Sequence, residues 1–271
     1  QVNRTVRVII VFAGCACAVG AGAADPGNHE GATKSDVARV TAPQFSPAAL
    51  QSVRARIVQA AESADRDPNS VRLLAVSKQQ PAALVRAATA AGQTEFGENY
   101  VQEGIDKIAA LAGTPGLTWH FIGQLQGNKT REVAACFDWV HTLDRERIAA
   151  RLSAQRPHHA EPLQVLLQVR LADEPGKGGV SPAEAPALAA AVSAMPRLQL
   201  RGLMCIPPPA TDLEAQRRPF RQLRELMPSL NEAGHALDTL SMGMSDDLEA
   251  AVLEGATIVR VGTAIFGRRP G

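Results

Sequence analysis

The sequence predicts an α/β fold, a (β/α)8 TIM barrel. Three observations carry that expectation. Apolar, β-branched runs alternate eight times with segments of helical periodicity, which requires parallel strands covered on both faces. The eight units together come close to the roughly 250 residues typical of such barrels. Polar residues gather just past the C-terminal ends of the strands, the face where barrels carry their sites. An open doubly wound sheet is the other architecture compatible with this alternation; unit count and length favour closure.

Residues 1–43 stand apart from the barrel, expected over 44–271. Arg4 and Arg7 precede the apolar run Val8–Val19 and the small residues AGAAD, the layout of a secretory signal peptide. The other reading is an extension foreign to the mature protein, since the chain does not open on Met. Asp25–Pro43 is polar and without periodicity, so disorder is expected there.

The elements then follow in order. Ser46-Pro47 reads as N-cap and first helical residue, opening a helix over Ala48–Ala64. The strand Val71–Ser77 ends at Lys78, and the helix Pro81–Ala91 stops at Gly92. Glu95–Asn99 is a short strand running into the helix Tyr100–Leu111. Thr118–Gly123 is the third strand, with Asn128–Cys136 as its helix. Trp139–Leu143 leads to Arg145–Gln155, and Leu163–Leu171 leads through the loop EPGKGG to Pro182–Met195. Leu198–Ile206 precedes a helix over Leu213–Ala233. In the last stretch Thr239–Met244 is a strand, Ser245 takes the N-cap position, and Asp246 and Asp247 suit the macrodipole in a first helical turn. Leu248, Ala251 and Val252 form the apolar stripe, and Gly255 closes the helix. Ile258, Val259 and Val261 make the eighth strand, ending at Gly262-Thr263.

Composition excludes several function classes. A formal charge of +1 and 4% aromatic residues argue against nucleic-acid binding. No apolar run reaches the length of a membrane span. Cys15, Cys17, Cys136 and Cys205 are too few and too scattered for a disulfide framework, and no cluster has zinc spacing. GQLQGNKT (Gly123–Thr130) resembles a phosphate-binding Walker loop, but Asn128 stands where that motif needs Gly before its Lys. His158-His159 with Glu161 lies between Pro157 and Pro162 and reads as a surface loop. Cys136 and Cys205 read as small buried hydrophobes.

The candidate site lies at the strand ends. A Ser at a helix start and a Gly-Thr at a strand end both present donors suited to a phosphate. Arg260 interrupts an apolar strand, and a buried guanidinium needs an acceptor. An ordinary strand–helix–strand unit with a snorkelling Arg has the same local pattern, so the other strand ends must decide. Lys78 ends the first strand, Asn99 the second, Gly123-Gln124 the third and Asp144 the fourth. A lysine desolvated in a barrel mouth moves toward the neutral amine that attacks carbonyls. Phosphate donors, a lysine and a buried Arg together are the requirements of a pyridoxal 5'-phosphate (PLP) site.

LLAVSK (Leu73–Lys78), FGENYVQE (Phe96–Glu103), WHFIGQLQGNK (Trp119–Lys129), RGLMCIP (Arg201–Pro207) and SMGMSDD…VRVGTAIFG (Ser241–Gly267) resemble the pyridoxal phosphate homeostasis protein family. Its members are single-domain relatives of the alanine racemase N-terminal barrel. The resemblance runs from about Pro47 onward, with the motifs in the family's order. It implies that Lys78 is the lysine forming the Schiff base with PLP. It also implies that Ser245, Gly262 and Thr263 cradle the phosphate and that Arg260 faces the pyridine nitrogen. An Arg there stays a donor, which leaves the ring a weaker electron sink. Asn99 is expected near the ring hydroxyl or phosphate, and Met242 and Met244 against the ring. His120 either reaches the pocket or is a hydrogen-bonded core histidine. Asp246 and Asp247 must point away from a bound phosphate along their helix.

The resemblance implies a PLP-binding protein that buffers or delivers the cofactor inside the cell, serving PLP-dependent client enzymes, without strong catalysis. A PLP-dependent racemase is the alternative. Racemases of this kind use a barrel Lys and a Tyr from a second domain. Here four residues follow Gly267, and the single tyrosine, Tyr100, follows the second strand, so the second base is expected to be missing. A monomer in the cytoplasm is expected, with export the alternative if residues 1–43 act as a signal.

Overall fold

The computed structural model describes residues 45–172 and 178–267. Residues 1–43 and most of the EPGKGG loop lie outside the described residues, as do Cys15 and Cys17. The barrel belongs to one compact unit, Thr41–Gly271.

Eight parallel strands close in sequence order: β1 (Arg72–Val76), β2 (Glu95–Glu98), β3 (Thr118–Phe121), β4 (Trp139–Leu143), β5 (Leu163–Gln168), β6 (Leu198–Met204), β7 (Thr239–Ser241) and β8 (Ile258–Val261). The ring is completed by β8 against β1, with Leu74 opposite Arg260 and Ala75 opposite Val261. The helices are α1 (Pro47–Glu62), α2 (Ala82–Ala90), α3 (Val101–Ala110), α4 (Thr130–Cys136), α5 (Glu146–Gln155), α6 (Ala185–Ser193), α7 (Leu213–Glu232), α8 (Leu248–Leu253) and α9 (Thr263–Phe266). The expected (β/α)8 barrel is therefore the architecture present. Among the described residues no helix is long and apolar enough to cross a membrane.

The strands are apolar on both sides because both sides are covered. Alternation sends Val259 and Val261 outward into the large core shared with the helices, and Ile258 and Arg260 inward. The barrel interior holds two small apolar clusters, Leu74 with Ile122 and Ile258, and Trp139 with Leu166 and Met204. Ser46 caps α1 as expected: its hydroxyl accepts from the Ala49 N–H, and Pro47 occupies the first turn.

The last unit departs from expectation at one point. Ser245 is not the N-cap of α8; residues 245–247 form a turn, and Asp247 precedes the first helical residue, Leu248. The Asp247 carboxylate accepts from the Met244 N–H at 2.5 Å, which closes that turn on itself and delays the helix by two residues. Gly255 does follow the helix end as expected, with φ +91°.

Candidate functional site

The C-terminal ends of β1, β2 and β8 and the loops after β6 and β7 enclose a cavity of about 480 Å³, within the usual range of small-molecule sites. Lys78, Asn99, Met244, Ser245, Arg260, Gly262 and Thr263 all line it, so these seven residues expected from sequence converge on one place. Arg56, Val76, Ile122, Ile206, Asp246 and Ala264 complete the wall.

Each wall residue is set by its element. Lys78 sits two residues past β1, in a turn closed by the Gln80 N–H donating to the Ser77 carbonyl at 3.0 Å. Gln79 in that turn has φ +59°, a conformation a non-glycine residue holds only when its surroundings enforce it. The enforcement comes from α3. The buried Lys107 ammonium donates to the Ser77 carbonyl at 2.5 Å and pairs with Glu98 and Glu103, each at 2.7 Å. The Ser77 hydroxyl donates to Glu98 at 2.6 Å, and the Gln79 N–H donates to Glu103 at 2.5 Å. Both peptide neighbours of Lys78 are thus tied to one ion cluster. Burial raises the Glu98 carboxyl, with Lys107 acting against that rise.

Arg260 forms part of the cavity wall. Its guanidinium donates to Ser241 Oγ at 2.8 Å and to the Cys205 carbonyl at 2.9 Å, the acceptors a buried arginine requires. Burial lowers its pKa, but a guanidinium stays a donor. Cys205 behind it is fully buried and its thiol is pushed up to about 12, which leaves it protonated and inert.

The remaining wall is built from main chain. Gly262 lies against β1, where an added Cβ would stand 3.0 Å from the Val76 carbonyl oxygen. Thr263 and Ala264 begin α9, whose first N–H groups have no intrahelical acceptors. Ser245 is held by α1: Arg56 donates to the Ser245 carbonyl at 2.9 Å while its guanidinium pairs with Glu249 at 2.7 Å. Asn99 Oδ1 is buried without a hydrogen-bond partner, an acceptor left over for a donor.

Several expectations need correction. Met242 does not wall the cavity; alternation after the inward Ser241 turns it into the core between strands and helices. Of the two readings of His120 the core one holds: it is fully buried inside the barrel, with its Nδ1 2.9 Å from His141 Nε2. Asp246 and Asp247 do not point out along a helix. Asp246 lies on the cavity wall, and Asp247 folds back onto the Met244 N–H. Tyr100 is exposed and lines a neighbouring cavity with Gln124 and Lys129. Sequence reasoning missed Arg56 and Lys107. Glu103 and Lys107, four residues apart on one helix, were the available signal for the latter.

These residues fit the group the sequence suggested: a primary amine, main-chain donors at a glycine cradle, and a guanidinium fixed from behind, around one cavity of suitable size. Comparison with known proteins agrees. A family profile described as "Alanine racemase, N-terminal domain" matches residues 49–270. A pyridoxal phosphate homeostasis protein of Pseudomonas aeruginosa is 57% identical over 220 residues, covering 81% of this chain and 94% of the relative. The solved structure of PipY from Synechococcus elongatus, with PLP bound, superposes with a TM-score of 0.73 at 40% identity, covering 82% of this chain and 99% of PipY. Alanine racemase from Corynebacterium glutamicum has a TM-score of 0.61 at 15% identity, covering 84% of this chain and 62% of that one, a likeness of fold alone. The chain belongs to the pyridoxal phosphate homeostasis protein family, built on the N-terminal barrel of the alanine racemases.

Proposed function

We propose that this protein binds PLP in the cavity at the strand ends, holds it covalently through Lys78, and buffers or delivers it to PLP-dependent enzymes. The observation carrying this reading is the convergence of Lys78, Arg260 and the Ser245/Gly262–Thr263 wall on one cavity. PLP supplies an aldehyde that a neutral amine attacks with loss of one water. Lys78 is the amine, and the ion cluster around Ser77 and Gln79 holds its main chain at the β1 end. The N–H groups of Gly262 and Thr263 and the Ser245 hydroxyl bind the phosphate, while Gly262 keeps the wall low enough for it to approach. Arg260 donates toward the pyridine nitrogen and keeps it unprotonated. Asn99 Oδ1 accepts from a ligand or water donor.

Carriage rather than catalysis is favoured by the lining. Among the described residues that line the cavity there is no histidine, cysteine or tyrosine, so the wall offers no second base of the usual kind for the two-face proton transfer of a racemase. The test is a visible absorption spectrum of purified protein with added PLP, wild type beside Lys78→Ala, followed by borohydride and peptide mass analysis. Yellow wild-type protein with the reduced adduct on the Lys78 peptide is the expected result. Protein that takes up no PLP, or takes it up with Lys78 unmodified, overturns the reading.

A further inference from the structure

Behind Arg260 a line of polar side chains crosses the barrel interior, where such barrels ordinarily hold layers of branched apolar residues. Arg260 Nη1 donates to Ser241 Oγ at 2.8 Å. Ser241 Oγ lies 2.9 Å from His141 Nδ1, and His141 Nε2 lies 2.9 Å from His120 Nδ1. His120 Nε2 lies 3.2 Å from Glu95 Oε2, off the hydrogen-bond axis, and has no other partner. The five residues come from β8, β7, β4, β3 and β2 in turn. Ser241, His141 and His120 have no exposed surface.

The two ends of this line fix every proton in it. A guanidinium only donates, so the Ser241 oxygen accepts from Arg260 and its own proton goes to His141 Nδ1. A carboxylate only accepts, so the His120 nitrogen facing Glu95 carries the ring proton and His120 Nδ1 is an acceptor. His141 therefore bears its proton on Nε2 and donates it to His120. The opposite set of tautomers would aim a lone pair at a carboxylate and leave the Ser241 proton without an acceptor. Both rings are neutral in this arrangement, in keeping with burial, which pushes His120 down and His141 well down. At the far end burial pushes the Glu95 carboxyl up, but His120 and Arg72 outweigh that and hold it below the usual carboxylate range. Trp139 stacks on His120 with ring centroids 5.4 Å apart and planes 12° from parallel, which keeps the imidazole from turning.

We propose that Ser241, His141, His120 and Glu95 are positioning residues for Arg260, a one-way donor chain that holds its guanidinium in the cofactor cavity from the opposite end of the barrel. This rests on the proposed PLP site for its consequence, but the chain itself can be tested in ligand-free protein. Neighbouring donors in a buried chain polarise one another, so removing the terminal acceptor reaches the first donor. Glu95 is the residue to change, because it is partly exposed and does not line the PLP cavity.

The experiment combines 15N-histidine NMR of ligand-free protein with PLP titration of Glu95→Leu and Glu95→Gln. The expected result is that both His120 and His141 are neutral with the proton on Nε2. Glu95→Leu changes that pattern, weakens PLP binding by roughly threefold to tenfold and shifts the visible band of bound PLP, as coupling through a packed network allows. Glu95→Gln, which keeps an acceptor, stays close to wild type in all three readouts. A wild-type His120 protonated on Nδ1 or on both nitrogens overturns the proposal. So does a folded Glu95→Leu protein with wild-type nitrogen shifts and a wild-type PLP spectrum. If wild type binds no PLP, the functional reading fails while the nitrogen shifts still decide the chain.

Discussion

At the scale of single residues the most consequential side chain outside the cavity is Lys107. It is nearly fully buried and pairs with a Glu98 that has no exposed surface at all. Removing one partner of a buried pair strands the other charge, which costs about 3–5 kcal/mol. Lys107→Met should therefore lower stability by about that amount in urea unfolding, and it should weaken PLP uptake because Ser77 and Gln79 lose their ties beside Lys78. A Lys107→Met protein that is destabilised yet takes up PLP as wild type would show that the cluster does not position Lys78. Lys78 itself was legible because an amine closing an apolar strand at a barrel mouth has few structural reasons to be there. Lys107 was not legible, because a lysine on a helix reads as solvated unless its partners are known, and Glu98 comes from a different element. The same limit applied to Met242: two methionines two residues apart were expected to share a face, but the strand stops at Ser241 and only Met244 reaches the cavity.

At the scale of elements, the turn between β7 and α8 shapes the proposed phosphate end. The spacing of Leu248, Ala251 and Val252 revealed the helix, but its start was read at Ser245, and the Met244–Asp247 hydrogen bond moves it on to Leu248. Gly243 makes the turn possible: its φ is +90°, and an added Cβ would stand 2.5 Å from the Ala251 Cβ. The helix has no freedom to retreat. Its end is fixed by the buried Glu254, which takes Arg217 at 2.8 Å, Arg221 at 3.1 Å and Arg224 at 2.8 Å, all from α7. Gly243→Ala thus adds overpacking to an unfavourable backbone conformation and should cost about 2–4 kcal/mol in urea unfolding, with weaker PLP binding. Gly255→Ala is the control, since its φ is +91° but its nearest neighbour is the flexible Arg224 side chain at 3.5 Å. It should cost only about 1 kcal/mol and leave PLP binding unchanged. Equal effects of the two substitutions on binding would separate the turn from the site.

At the scale of the whole molecule, closure of the barrel was legible because eight apolar runs of similar length leave no edge strand to protect, whereas the content of its interior was not. Which inward residues meet depends on register around the ring, and His120, His141 and Ser241 are up to 121 positions apart by number, from three strands. The interior they form makes stability depend on pH in a definite sense. Burial holds the folded-state pKa of both histidines below the ordinary 6.5. As pH falls through 6.5 the unfolded chain gains protons that the folded barrel does not, so the unfolded state is favoured. The stability supplied by two neutral histidines is present above 6.5 and is lost as pH falls toward their lower folded values, by at most about 1.4 kcal/mol per pH unit for each ring. Glu98 and Asp247, whose carboxyls burial raises, act in the opposite sense, so the comparison must be with a variant rather than with the bare profile. In urea unfolding from about pH 8 to about pH 5, His141→Gln should lose stability less steeply than wild type below 6.5, with the two profiles converging toward acid. Parallel profiles across that range would mean that His141 binds its proton in the folded barrel as it does in the unfolded chain.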